Sequence, residues 1–409
     1  MMRVLHISKT SEGGRWAALQ VRELVRNGVE VDVALPSLSG SAMDLWNASG
    51  ARLHLVDLSF PVRGPWRAGT AIRQARKLID RVQPDVIHSH FVSTTLTLRA
   101  ALGRKSTVPR LFQVPGPLHL EHWLYRTGEI ASARPPDCWI ASSRYTRNLY
   151  LRAGIPEQRV FLSYYPIEQE RGIAARGGLR ARLGIPHDAL VVGNINMFYK
   201  PKWYLGQRIG LKAHEDVLEA LHIVTTQRAN VYGVLAGGPW GNANPYFERL
   251  RERAAKLAPG RILLPGPLSP GDVLTAWKEF DCAVHVPLSE NCGGVVEPLL
   301  AGIPVIAGRV GGLPEVVIDG VTGVTVPIRN PRALAAAILE VLDRPAIHRA
   351  RAALGSELVS RMFSVRRTAA EVKHIYEHVL GVTAGPAQFD SEDVLRAEAA
   401  RMEISATVA

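Results

Sequence analysis

Short apolar runs of strand length alternate with helical patterns along nearly the whole chain, and this alternation limits the folds open to it. Residues 3–7 (RVLHI) read as a strand. A Ser11-Glu12-Gly13-Gly14 loop follows, then a helical stretch from Trp16 to Asn27, stopped by Gly28, and a strand at 29–35. A basic helix at 68–82 leads to strands at 84–90, 110–114 and 138–141. A second series places strands at 190–193, 231–236, 261–264, 282–286 and 304–307, with helices at 213–228, 246–257 and 273–280 between them. Strands alternating with helices predict parallel sheets covered on both faces. Two such series in 409 residues predict an α/β chain of two Rossmann-like, doubly wound domains facing each other across a cleft. They join near 166–188, where Arg171-Gly172 and Gly177-Gly178 suit a flexible connector. Residues 383–409, small, polar and alanine-rich, read as a flexible tail.

Composition narrows the function classes. Hydrophobic content of 47% fits packed globular domains, and no apolar run reaches the roughly 18 residues of a membrane span. The N-terminal apolar run is too brief for a signal-peptide core, so a cytoplasmic location is expected, with the inner membrane surface as a peripheral site. Cys138, Cys282 and Cys292 show no metal-ligand spacing and no disulfide framework. A formal charge of +12 suits an anionic partner. There is no zinc-finger spacing, aromatic RNA-binding box or long basic run, so nucleic acid is not the expected one.

The most informative stretch runs from Pro287 to Pro304, PLSENCGGVVEPLLAGIP. Pro298 lacks an amide hydrogen and fits only the first turn of a helix, so the helix is expected to start close to Gly294. Gly302 fits the left-handed residue just past its end. The free amides of Gly293, Gly294 and Val295, at the positive end of the helix dipole, then form an anion site suited to a phosphate. Glu297 lies one turn in and could accept two ribose hydroxyl hydrogens, while Glu290 could hold sugar hydroxyls. The same residues also read as a plain helix start with capping carboxylates.

With the downstream Gly308-Arg309-Val310-Gly311-Gly312-Leu313-Pro314-Glu315 loop and the Asp319-Gly320-Val321-Thr322-Gly323 turn, the sequence resembles the family-4 retaining glycosyltransferases of the GT-B fold. The resemblance covers roughly residues 3–380 and is best in the C-terminal part. It implies an N-terminal acceptor domain (1–166), a C-terminal nucleotide-sugar domain (167–360) and a final helix (361–382) that crosses back to the first domain. It implies transfer of a sugar from a nucleoside-diphosphate sugar to an acceptor hydroxyl, with no cofactor. No Asp-x-Asp motif is present, so no metal is expected at the site. A non-catalytic nucleotide-sugar-binding protein, or a sugar-nucleotide epimerase on the same fold, is the alternative. Donor base, sugar, acceptor and oligomeric state stay open.

The resemblance assigns Glu297 to the nucleotide ribose and Glu290 to the donor sugar. Six residues separate the two instead of the family's seven, so Ser289 is the strict counterpart of Glu290. Lys212, leading an amphipathic helix, matches the lysine that clamps the diphosphate. The partner arginine is missing from the strand end. Arg208 is the candidate, with Lys200 and Lys202 as rivals in an insertion, NMFYKPKWYLGQ. On the acceptor side, Gly13 and Gly14 form the first turn, and His119 is the candidate polar group after the strand at 110–114, with Glu121 and His122 nearby. The basic helix and its Arg63-Gly64-Pro65-Trp66-Arg67 leader read as a solvated face or as a peripheral contact with anionic membrane.

Overall fold

A computed structural model describes residues 1–61, 64–103, 105–168, 178–383 and 390–396. The chain divides into two compact units, one of Met1–Glu168 with Met362–Asp390, the other built on Gln169–Arg361. Each is a doubly wound parallel sheet covered by helices.

The first sheet has seven strands, β1 (Arg3–Ile7), β2 (Glu30–Leu35), β3 (Arg52–Leu55), β4 (Val86–Ser89), β5 (Arg110–Val114), β6 (Asp137–Ala141) and β7 (Val160–Leu162). Their order is β3-β2-β1-β4-β5-β6-β7. Alternation along β1 builds two cores. Val4 faces the helices Arg15–Arg26 and Val365–Val379, while Leu5 and Ile7 face the basic helix Ala68–Val82. The last helix therefore belongs to the first unit, where Ala369, Val372, Ile375 and Tyr376 share a core with Val4 and Val86. On the basic helix Ala71, Ala75, Leu78, Ile79 and Val82 are buried, and Arg73, Arg76, Lys77 and Arg81 are exposed.

The second sheet has six strands, β8 (Leu190–Ile195), β9 (Val231–Ala236), β10 (Ile262–Gly266), β11 (Cys282–His285), β12 (Val305–Gly308) and β13 (Val324–Val326), in the order β10-β9-β8-β11-β12-β13. In each sheet the order reverses beside its first strand, between β1 and β4 and between β8 and β11. Open parallel sheets receive ligands at such a switch point, outside the carboxyl ends of the strands.

Three strands, β3, β7 and β13, go beyond those expected. Each is three or four residues long and lies at a sheet edge. Arg63, Arg171, Gly172 and Gly177 lie outside the described residues, as does most of the tail from 383, of which 391–396 is helical. Among the described residues no helix is long and apolar enough to cross a membrane.

Candidate functional site

In the second unit β11 ends at His285, a loop follows, and a helix runs over Gly293–Leu300. The helix starts where the glycines predict, but Pro298 sits in its second turn, not its first. The carbonyl of Gly294 therefore has no amide four residues on to accept from. Close packing sets this start: a Cβ on Gly294 would lie 2.2 Å from His285 Nε2. Gly302 takes the left-handed conformation (φ 72°), and Ile303 N donates to Pro298 O at 2.9 Å, which closes the helix end.

Glu290 is the centre of the site. Its carboxylate accepts from the Lys212 ammonium and from His285 Nε2 at 3.0 Å, and Asn291 N donates to its other oxygen at 3.0 Å. The side chains of Lys212 and Glu290 are 15% and 13% exposed, so the pair is shielded from water. Burial alone would raise the Glu290 pKa. The Lys212 charge and the His285 hydrogen bond outweigh it and hold the carboxyl well below the usual range. Burial lowers the His285 pKa, against the opposing bond to Glu290, so the imidazole is neutral at pH 7. Nε2 then carries the hydrogen given to Glu290, and Nδ1 accepts from Asn196 Nδ2 at 3.2 Å. Asn194 Nδ2 donates to Val284 O at 2.7 Å, so an asparagine network occupies the end of β8, where the resemblance places an arginine.

A left-handed alanine beside Lys212 and a close glycine contact beneath Glu290 position the two partners of the pair. Ala213, next to Lys212, is left-handed (φ 51°), and the helix starts at His214, two residues after Lys212. His214 stacks on Phe198 at 3.9 Å and is fully buried, which pushes its pKa down to about 3. Leu288 N donates to Leu211 O at 2.9 Å and ties the two loops together. Gly311 is left-handed, and a Cβ there would lie 1.8 Å from Glu290 O. The glycine loop thus supports the backbone of Glu290.

The other expected residues are placed as follows. Glu297 lies in the second turn of the helix, and one of its oxygens accepts from Trp277 Nε1 at 3.4 Å. Ser289 is buried, and it is Glu290, not Ser289, that pairs with Lys212. Arg208 and Lys200 are exposed, and among the described residues neither joins an ion pair. Tyr199, from the insertion, has its pKa raised by burial and by the charge of Glu290.

In the first unit Gly13 and Gly14 are both left-handed (φ 68° and 69°), with open space where a Cβ would stand, and Gly13 N donates to Ser41 Oγ at 3.1 Å. His119 Nε2 lies 3.2 Å from Tyr150 Oη, and burial pushes its pKa down to about 4. Tyr145 Oη donates to Glu121 at 3.1 Å. The helix Trp123–Ala131 begins with exposed Trp123 and Leu124.

Sequence reasoning missed His285, Asn194 and Asn196. A histidine inside an apolar run reads as core. The available signal was its place at the last residue of a strand, five before Glu290. Reasoning also missed a fully buried group in the first unit, His6, His88, His90 and Tyr376, although the His-x-His spacing at 88–90 puts two rings on one face of a strand.

Comparison with known proteins adds the following. Residues 202–357 match the family described as Glycosyl transferases group 1, and residues 13–171 match Glycosyltransferase Family 4. A D-inositol 3-phosphate glycosyltransferase of Saccharomonospora viridis is 31% identical over 221 residues, which are 52% of this chain and 48% of that protein. The chain covers less than half the length of such curated relatives. Among solved structures, Anabaena HepE in complex with UDP and glucose superposes with a TM-score of 0.72 at 17% identity, over 92% of this chain and 100% of that one. A Listeria monocytogenes protein provisionally assigned as a UDP-N-acetylglucosamine 2-epimerase superposes with a TM-score of 0.65 at 16% identity, over 95% and 99%. Both superpositions show a shared fold.

Proposed function

Because the chain belongs to the family-4 glycosyltransferases, with the two Rossmann-like domains of the GT-B fold, we propose that it moves a sugar from a nucleoside-diphosphate sugar to an acceptor hydroxyl, with retention and without a metal at the donor site. The observation that carries the reading is the Lys212–Glu290–His285 cluster at the switch point of the second sheet, beside a helix N-terminus. The diphosphate approaches the amides of Gly293 and Gly294. The Lys212 ammonium has three donors, so it can keep Glu290 and still take a phosphate oxygen as charge grows on the leaving group. Glu290, ionised over the whole working pH range, accepts hydroxyl hydrogens of the sugar. Glu297 holds the ribose. His285 and Asn196 fix the orientation of the Glu290 carboxylate. The acceptor binds the first unit near Gly13, Gly14 and His119. His119 is neutral at pH 7 and able to accept a hydrogen bond.

The UDP and glucose bound by the Anabaena protein make a uridine nucleotide the first to test. Thermal unfolding is followed with UDP, GDP, ADP and dTDP in turn, without added metal. A nucleotide at 100 times its dissociation constant stabilises the native state by about 2.7 kcal/mol, a visible shift. One nucleotide standing out supports the reading, and no shift with any removes it. Conversion of the matching sugar nucleotide without an acceptor would favour an epimerase, and binding without turnover a non-catalytic role.

Peripheral docking on anionic lipid is the second part of the proposal. Trp66 is exposed at the start of the basic helix, ahead of Arg73, Lys77 and Arg81. Each well-placed cation contributes about 1 kcal/mol. Flotation with acidic liposomes at low salt tests it, and protein left at the bottom of the gradient rules it out.

A further inference from the structure

We infer that the first unit carries a site for one transition-metal ion of the zinc class, held by imidazole nitrogens of His6, His88 and His90 and backed by Tyr376. The sheet assembles it. His6 on β1 and His88 on β4 are register partners, so their rings share one face, and His90 follows two residues on. That face lies under the helices Arg15–Arg26 and Val365–Val379. All three histidines are fully buried.

One nitrogen from each ring lies within 4.8 Å of the other two. His6 Nδ1 and His90 Nε2 are 3.1 Å apart. Two nitrogens bound to one tetrahedral zinc at their usual bond length stand about 3.3 Å apart, so this edge already has the required size. His88 Nε2, on the side of its ring away from Tyr376, is buried without a hydrogen-bond partner of good geometry. A buried nitrogen with free valence calls for an occupant. The Gln113 side chain lies within hydrogen-bonding reach of His88, and its buried Oε1 supplies an oxygen for a fourth position.

Tyr376 completes the arrangement. Its Oη lies 2.6 Å from His88 Nδ1 and 3.0 Å from His6 Nε2. With an ion on the opposite nitrogens, His88 Nδ1 and His6 Nε2 both carry hydrogens, and both donate to the one phenol oxygen. Metal-bound histidines characteristically give their distal N–H to such a second-shell acceptor. Burial lowers the pKa of all three imidazoles, that of His6 to about 3, so all three are neutral at neutral pH, and an ion would replace the hydrogen bond that joins His6 Nδ1 and His90 Nε2. Neutral nitrogen ligands select zinc, copper, nickel or cobalt over magnesium or calcium. Trp16, half-buried, packs edge-on against His90 with ring centroids 5.2 Å apart, and it reports occupancy through its fluorescence.

The inference does not rest on sugar transfer, and its readout is binding. Full-length protein is stripped with chelator and titrated with Zn²⁺ by calorimetry and with Co²⁺ by visible absorption. One ion per chain, tetrahedral Co²⁺ bands and quenching that disappears in Trp16→Phe are expected. His88→Gln and His90→Gln each weaken binding by at least tenfold. Tyr376→Phe weakens it by about tenfold and leaves the stoichiometry unchanged. His187→Gln, at an exposed histidine, changes nothing. Absence of binding, or binding that persists in the His88→Gln/His90→Gln double variant, overturns the site and leaves buried water as the occupant. If the variants fail to fold, X-ray absorption on the Co²⁺-loaded wild type decides: three imidazoles uphold the site, and an oxygen-only shell overturns it.

Discussion

The two sheets share one strand order around the switch point, and each has a buried histidine on its fourth strand, His88 in β4 and His285 in β11. Their surroundings differ. His285 meets a carboxylate that is itself paired with a lysine. His88 meets a tyrosine hydroxyl and two further imidazoles. The second unit thus holds fixed charge ready at its switch point, whereas the first holds neutral imidazoles hydrogen-bonded to one another and to a phenol. One backbone scaffold serves both chemistries, and the neighbours decide which ionisation state survives burial. A charged site can stabilise a leaving diphosphate. A neutral imidazole site can hold a metal ion.

The comparison breaks most directly at Lys212. Lys212→Ala removes the only cation that contacts Glu290 among the described residues and leaves a buried, unpaired carboxylate. Transfer should fall by about 10²-fold or more, the usual effect of losing one preorganised electrostatic group. Stability should fall by about 3 kcal/mol. Adding Glu290→Gln should recover most of the stability and none of the activity. Glu297→Ala should lower activity by at least tenfold while the fold survives. Initial rates and chemical denaturation of the four proteins check both statements. Near-normal rates in Lys212→Ala would mean that the charged cluster is structural only.

Acid should separate the two units. The folded pKa values of His6, His88 and His90 lie below the unfolded value of 6.5. Below pH 6.5 the unfolded chain takes up protons that the folded cluster refuses, so stability falls as pH drops from there toward the folded values. Each histidine that stays neutral costs about 1.4 kcal/mol per pH unit. His119 adds to this in the first unit, against His214 and His285 in the second. The Glu290 carboxyl has its folded pKa below the unfolded value of 4.5, so its contribution is complete above 4.5 and fades only as pH falls further. Between pH 6.5 and 5 the first unit should therefore loosen more. Hydrogen exchange at the two pH values should rise more in β1 and β4 than in β8 and β11. A larger rise in β8 and β11 would reverse the contrast.

Both sheets were legible in the alternation of apolar runs and helices, because each strand buried on two faces leaves a local apolar run. β3 and β13 were not legible. Arg52–Leu55 is a half-exposed edge, and Val324–Val326 is three residues behind a turn. Lys212, Glu290 and Glu297 were singled out through the family resemblance, Glu290 against the family spacing, which points to Ser289; the structure brings Glu290, not Ser289, to Lys212. The left-handed Ala213 was not legible, since alanine avoids that conformation and only the surrounding packing imposes it. The three-histidine cluster was out of reach for a different reason. Its rings meet through the register of β1 on β4, a pairing between residues 6 and 88 that no local pattern encodes.

The smallest effects come from the paired glycines at the helix start, and they sharpen the comparison because one reaches the charged cluster and the other faces open space. A Cβ at Gly294 meets the His285 ring, so Gly294→Ala must push His285 away from Glu290. That removes one hydrogen bond from a buried carboxylate. A loss of about 1–2 kcal/mol and a several-fold fall in rate are expected, with Lys212 still in place. At Gly293 nothing lies within 4 Å of the added carbon, and no positive φ is required. Gly293→Ala should therefore be neutral or raise stability by about 0.5 kcal/mol, since alanine restricts the unfolded chain. Donor affinity is then the discriminating reading for Gly293→Ala. If a phosphate approaches the helix amides closely, the added methyl weakens nucleotide binding in a protein that melts no lower than the wild type. Unchanged affinity in that variant would place the phosphate away from the helix start and leave Lys212 as the group that carries its recognition.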